Sequence, residues 1–185
     1  MSREAKVESE LYRLLKNVLE RKGYTAEGVR FDGVEPQYRV DNRRADLALI
    51  LVEKNPLLII ETKRKFETRG YYREERKIDP TSRVVIDQAL WYSIHCGSPF
   101  FATTNGRTFA LFTVPERGES FSYEKHRILI KEITLNEVFA EELLSIVAKL
   151  HTKVPVSITP LDWAFIVRLR SVSYTHLTLP TNREV

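Results

Sequence analysis

A mixed α/β domain, with helices packed on a central β-sheet, is what this sequence predicts. An amphipathic helical pattern opens the chain, two short and nearly all-apolar runs follow it, and helix-like and strand-like segments then alternate to about residue 150.

Residues 4–22 predict a helix, because Val7, Leu11, Leu14, Leu15 and Val18 recur on one stripe and Gly23 supplies a stop. Residues 28–42 are polar and turn-rich, with Gly33 and Pro36, which leaves room for a short strand at 37–40. Residues 46–52 (DLALILV) and 57–60 (LLII) read as two buried strands joined by a tight turn, since Pro56 excludes one long helix. Residues 70–82 are charged and predict a loop. Residues 83–95 predict a helix that packs Val84, Val85, Ala89, Leu90 and Ile94 and ends at Gly97 and Pro99. Residues 100–104 and 107–114 flank Asn105-Gly106, the signature of a hairpin with a type I′ turn. Thr134 and Glu137 have capping-box spacing ahead of a helix at 135–150. Pro155 and Pro160 frame a linker, and a last helix is expected near Leu161.

The 185 residues suit one domain, and the 43% hydrophobic content is enough for a core. The net charge of +4 is mild and fits an anionic partner without requiring one. Cys96, alone, excludes a disulfide framework and reads as a small buried residue. His95, His126, His151 and His176 lack zinc-site spacing. No apolar run is long enough to span a membrane, and the charged start MSREAKVESE is unlike a signal peptide, so a cytoplasmic protein is expected. No phosphate-binding GxxxxGK[ST] loop is present.

Chemistry concentrates in residues 46–63. Glu61 and Lys63, two apart on a strand, share a face. A turn centred between Glu53 and Lys54 sets Asp46 opposite Glu61; centred between Lys54 and Asn55, it sets Asp46 opposite Lys63. An odd-numbered loop or a bulge breaks either register. Two carboxylates gathered at the end of an apolar hairpin repel unless a cation lies between them, and Mg²⁺ suits oxygen ligands of this kind. The plain alternative is a strand-end ion pair. Gln88 and Tyr92, four apart on the predicted helix, face the same way and can reach the same edge.

The pattern of Asp46, fourteen intervening residues and then Glu61-Thr62-Lys63 resembles the D…(D/E)XK signature of the PD-(D/E)XK nuclease superfamily, with Ala45 where many members have proline. Gln88-Ala-Leu-Trp-Tyr92 resembles the QxxxY element of its RecB-like and type I restriction branches. With SPFFATTNGRTFALF downstream, residues 5–115 are most similar to the N-terminal domain family of type I restriction-enzyme R subunits. The resemblance implies a restriction-endonuclease-like core and a Mg²⁺-dependent DNA endonuclease. Asp46, Glu61 and Lys63 would be catalytic. The metal would sit on Asp46, Glu61, the Thr62 carbonyl and a helical glutamate, for which Glu8 is preferred to Glu10. DNA would be met by Gln88, Tyr92, Arg64 and Lys65, within a basic segment that continues through Arg69, Arg73, Arg76, Lys77 and Arg83. Partners implied are DNA, a translocase or methyltransferase module and a specificity subunit. A non-catalytic DNA-binding or assembly module, and a repair or junction-resolving nuclease of the same superfamily, are the rival readings.

Residues 1–132 are expected to form the nuclease core and 133–170 a helical extension leading into a further domain. Residues 171–185 resemble a translated transposon-end sequencing adapter, which implies that they are not native and that the chain continued past Arg170.

Overall fold

The N-terminal stripe folds as α1 (Arg3–Arg21), with Leu11, Leu14, Leu15, Val18 and Leu19 buried, and Gly23 takes a left-handed φ of +61° just beyond its end. The computed structural model describes residues 3–63, 67–69, 74–76 and 79–153. After α1 come β1 (Thr25–Ala26), β2 (Val29–Val40), β3 (Arg43–Leu51), β4 (Pro56–Thr62), β5 (Glu67–Arg69) and β6 (Glu74–Arg76). They are followed by α2 (Arg83–Cys96), β7 (Phe100–Thr104), β8 (Thr108–Thr113), α3 (Tyr123–His126), β9 (Arg127–Glu132) and α4 (Glu137–Thr152). Seven strands form one mixed sheet in the order β1-β2-β3-β4-β7-β8-β9, and β5 and β6 form a separate antiparallel pair. Among the described strands only β4 and β7 run parallel, and α2 is part of the crossover between them.

Helices cover both faces. α1 and α4 pack over one, where Leu11, Leu15, Leu143 and Leu144 meet Leu47, Leu49, Leu58 and Ile60. α2 packs over the other, where Ile86, Ala89 and Tyr92 meet Ile59, Phe101 and Phe112. β4 is buried along its whole length, as a strand covered on both faces must be. The described part of residues 133–170 shares this core, since Phe139, Ala140, Leu143, Leu144, Val147 and Ala148 of α4 all lie in it.

Five local expectations are corrected. Residues 29–40 form a twelve-residue strand, where only a short one at 37–40 was expected. The apolar side chains of Val29, Phe31, Val34 and Val40 are buried, and a bulge between Phe31 and Gly33 absorbs the glycine. Pro36 is tolerated because, among the described residues, β1 pairs only with residues 29 and 30, so β2 is an edge strand beyond them. The loop expected at 70–82 contains strand β6. In α2 it is Val85, Ile86, Ala89 and Tyr92 that are buried, while Val84 and Ile94 are exposed.

The β7–β8 turn is centred one residue later than expected. Asn105 N–H donates to the Thr108 carbonyl, and positive φ falls on Gly106 (+81°) but not on Arg107, so glycine comes first as in a type II′ turn. A Cβ at Gly106 would also lie 3.2 Å from Val7 Cγ2. The cap of α4 is Asn136, not Thr134: its Oδ1 accepts from the Phe139 N–H at 2.9 Å. The linker and helix expected beyond residue 153 lie outside the described residues.

Candidate active site

The geometry begins in the β3–β4 hairpin. At its tip the Leu51 N–H donates to the Asn55 carbonyl, leaving Val52, Glu53 and Lys54 as an odd loop, with Lys54 left-handed at φ +66°. The register then shifts between Leu49 and Ile50, with Leu57 as the extra residue in β4. The odd loop and the bulge offset one another. Leu47 pairs with Ile60 and Ala48 with Ile59, so the next position sets Asp46 opposite Glu61.

Glu61 is 2% exposed at the end of β4, and the Lys63 ammonium lies 2.6 Å from its Oε1. Lys63, 16% exposed, also donates to the Gln88 amide oxygen at 3.1 Å. The ammonium is thus positioned from two elements, the strand beneath it and α2 above it. Its own backbone N–H donates to the Thr104 carbonyl at 2.7 Å, anchoring Lys63 to the parallel neighbour β7.

Asp46 is half-buried. Its Oδ2 accepts from the Thr62 backbone N–H at 2.6 Å and from the Thr62 hydroxyl at 2.7 Å. The Thr62 side chain and amide, rather than the carbonyl singled out from the sequence, therefore fix the direction of this carboxylate. Charge-assisted bonds of this length are the strong kind.

The neighbouring strand adds a constraint. Pro36 pairs with Leu47 and Tyr38 with Ala45, which places Gln37 opposite Asp46. Gln37 holds a left-handed φ of +53°, an unfavourable conformation for a residue with a side chain. Its amide donates to Glu8 Oε1 at 2.8 Å, tying the start of α1 to the strand beside Asp46. Beyond this point β3 changes sides: Leu47 and Leu49 pack under α1 and α4, whereas Ala45 and its partner Tyr38 pack toward α2.

At the C-terminal end of β4, Asp46 is held by Thr62, while Glu61, Lys63 and Gln88 contact one another. Tyr92, the second half of the Gln-Tyr pair, is 5% exposed and packed beneath α2, so it supports the helix rather than lining the surface. Glu8 is held on Gln37, and among the described residues no three His, Cys, Asp or Glu side chains gather to hold a metal ion. Glu8, preferred on α1 as a further acidic ligand, meets Gln37, which stands opposite Asp46 across β2 and β3. Arg64, Lys65, Arg73 and Lys77 lie outside the described residues, as do the side chains of Arg69 and Arg76. Burial pushes the Cys96 thiol up to about 12, so it is protonated and unreactive. A separate cleft of about 460 Å³ near the β7–β8 turn, lined by Val7, Gly106 and Leu135 among others, contains none of Asp46, Glu61, Thr62, Lys63 and Gln88. Among the described residues no helix is long and apolar enough to cross a membrane.

These elements define a restriction-endonuclease-like α/β fold: a mixed sheet between helices, with the hairpin and crossover helix meeting at one strand end. Among solved structures the chain is similar to the type IIG restriction endonuclease BpuSI, with a TM-score of 0.58 and 15% identity. The match covers 80% of this chain and 17% of that one. No family model matches the sequence, and no curated protein matches it.

Proposed function

We propose that this chain is a Mg²⁺-dependent DNA endonuclease domain, the nuclease part of a type I or related restriction enzyme. The observation that carries the reading is the buried Glu61–Lys63 pair, braced by Gln88 and set across the hairpin from Asp46. Burying a carboxylate and an ammonium together is costly to a fold, and a hydrophobic pair would often serve stability as well. A catalytic role accounts for that cost.

The donor set fits Mg²⁺. Two carboxylates at opposed strand positions offer hard oxygen ligands, and Mg²⁺ commonly takes one or two of these and keeps the rest for water and phosphate. Asp46 and Glu61 would hold it, and the Thr62 carbonyl is available at the same strand end. Bound there, Mg²⁺ would supply Lewis acidity toward the phosphoryl group and the attacking water.

The chain's own residues do the remaining work. Thr62 fixes the Asp46 carboxylate through two hydrogen bonds, so it does not reorganise when substrate arrives. Lys63 carries a positive charge to the rim, where it stabilises negative charge developing on a phosphoryl oxygen or orients the water for in-line attack. Gln88 holds that ammonium in place. The resemblance implies products with a 5′-phosphate and a role in restricting foreign DNA. A translocase or methyltransferase module and a specificity subunit would then act with this domain.

The test is cleavage of supercoiled plasmid with and without Mg²⁺, comparing wild type with Lys63→Ala. Mg²⁺-dependent cutting by wild type and its loss in the variant are expected; full activity in Lys63→Ala contradicts the assignment. One observation favours a second reading, a DNA-binding or assembly module without catalysis: Asp46 Oδ2 is already occupied by both Thr62 donors. Under that reading duplex DNA binds but is not cut at any Mg²⁺ concentration. Linear, circular and branched substrates separate a restriction activity from a repair or junction-resolving one.

A further inference from the structure

The turn joining β2 and β3 carries three arginines against one acid: Arg39, Arg43 and Arg44 with Asp41, a net charge of +2 over residues 39–44. All three arginines are exposed, and no carboxylate among the described residues forms an ion pair with any of them. The Arg43 guanidinium lies over the Trp91 ring, 4.7 Å from its centroid. The same indole stacks against His95, with ring centroids 3.9 Å apart and planes 24° from parallel. An indole holds a guanidinium without neutralising it. The charge is therefore fixed in position and still available to an anion.

The location gives this charge a purpose. Trp91 sits three residues after Gln88 on α2, on the side of the helix that reaches Lys63. Arg43 is three residues before Asp46 on β3, a separation of ~10 Å along a strand. That equals about three base-pair steps of duplex DNA. Resting on the proposed nuclease function, we infer that the β2–β3 turn is a backbone clamp: Arg43, seated on Trp91, with Arg39 and Arg44, grips DNA phosphates a few nucleotides from the cleaved bond. Trp91 is a positioning residue in this arrangement, since it acts through Arg43. The contacts are to phosphates and carry no sequence preference.

The experiment is fluorescence anisotropy with a labelled 30-base-pair duplex, without divalent ions, across a salt series. Arg43→Gln is expected to weaken binding about threefold to fivefold and to lower the slope of log affinity against log salt by about one. The triple variant Arg39→Gln, Arg43→Gln, Arg44→Gln is expected to lose tenfold or more, with the slope lower by about two to three. Trp91→Ala is expected to weaken binding with the slope retained, and Trp91→Phe to restore it. All substituted arginines are exposed, and matching thermal melts establish that the variants are folded. A charge-matched triple on other surfaces (Arg13→Gln, Lys16→Gln, Lys149→Gln) is the control. Binding unchanged in the arginine triple, or reduced no more than in the control, overturns the clamp while leaving the nuclease reading intact. Failure of the wild type to bind duplex at all overturns both.

Discussion

The two faces of the sheet are built differently. The face under α1 and α4 is a mainly aliphatic layer with a few phenylalanines: leucines of α1 and α4 meet leucines and isoleucine of β3 and β4, and the helices are joined at their ends by Arg21, which pairs with Glu137 at 2.5 Å and with Glu141. Among the described residues the face under α2 has one helix, is proportionally richer in rings, and ends in the Glu61–Lys63 pair and in the exposed Arg43 seated on a half-buried Trp91. One face is suited to holding the fold together, the other to presenting charge at a strand end. Under the proposed function, stability and chemistry are separable here, so substitutions on each face should move different observables.

The largest contrast is expected at Lys63. Lys63→Ala should reduce Mg²⁺-dependent cutting by at least about a hundredfold, as removal of one charge-stabilising group commonly does. It should cost only ~1–3 kcal/mol of stability, for the partner withdrawn from the buried Glu61 carboxylate. Plasmid cleavage and a urea melt measure the two. On the opposite face, Leu15→Ala should invert the pattern: a loss of ~2–5 kcal/mol in the melt, with cutting per folded molecule unchanged below the transition. If Leu15→Ala abolished cutting in folded protein, the separation of the faces would be wrong.

A smaller effect sharpens the comparison. Gln88→Ala removes one of the bonds that position Lys63 and should lower cutting about tenfold, with a stability change within about 1 kcal/mol. Gln88→Glu adds a carboxylate beside the pair and should not restore activity. The smallest effect concerns neither face. Lys125 and then His126 hold the Glu119 carboxyl down to about 2, well below its ordinary value of 4.5. A depressed carboxylate stabilises the fold above its unfolded pKa, and that contribution disappears as pH falls through the folded value. The melting temperature should therefore decline between about pH 4.5 and 2, and Glu119→Gln should flatten that part of the profile.

The fold class was legible in the sequence because its strongest signals are local. The α1 stripe, the apolar runs of β3 and β4 and the hairpin at Asn105-Gly106 each declare themselves within a few residues. Strand β2 was hidden because Gly33 and Pro36, ordinarily punctuation, are absorbed by a bulge and by an open sheet edge, which are tertiary circumstances. β9 has only half-buried or exposed residues and no distinctive pattern, so its place at the sheet edge was not anticipated. At the site, the two-residue spacing of Glu61 and Lys63 and the helical spacing of Gln88 were readable. The grip of Thr62 on Asp46 was not, since it depends on register. The arginines just ahead of Asp46 were visible as letters, but their seat on Trp91 depends on the change of face in β3, which no periodicity announces.

The offsetting irregularities of the β3–β4 ribbon set a rule for how this stretch tolerates changes in length. One surplus residue sits at the tip and another within the strand, so the frame is restored only when both are present. A lone deletion at Val52 or Glu53 would rotate the acidic end of the ribbon by half a pleat, sending its side chains to opposite layers. Length drift through this segment is therefore neutral only when a second change of the same size, at Leu57 or beside it, accompanies the first.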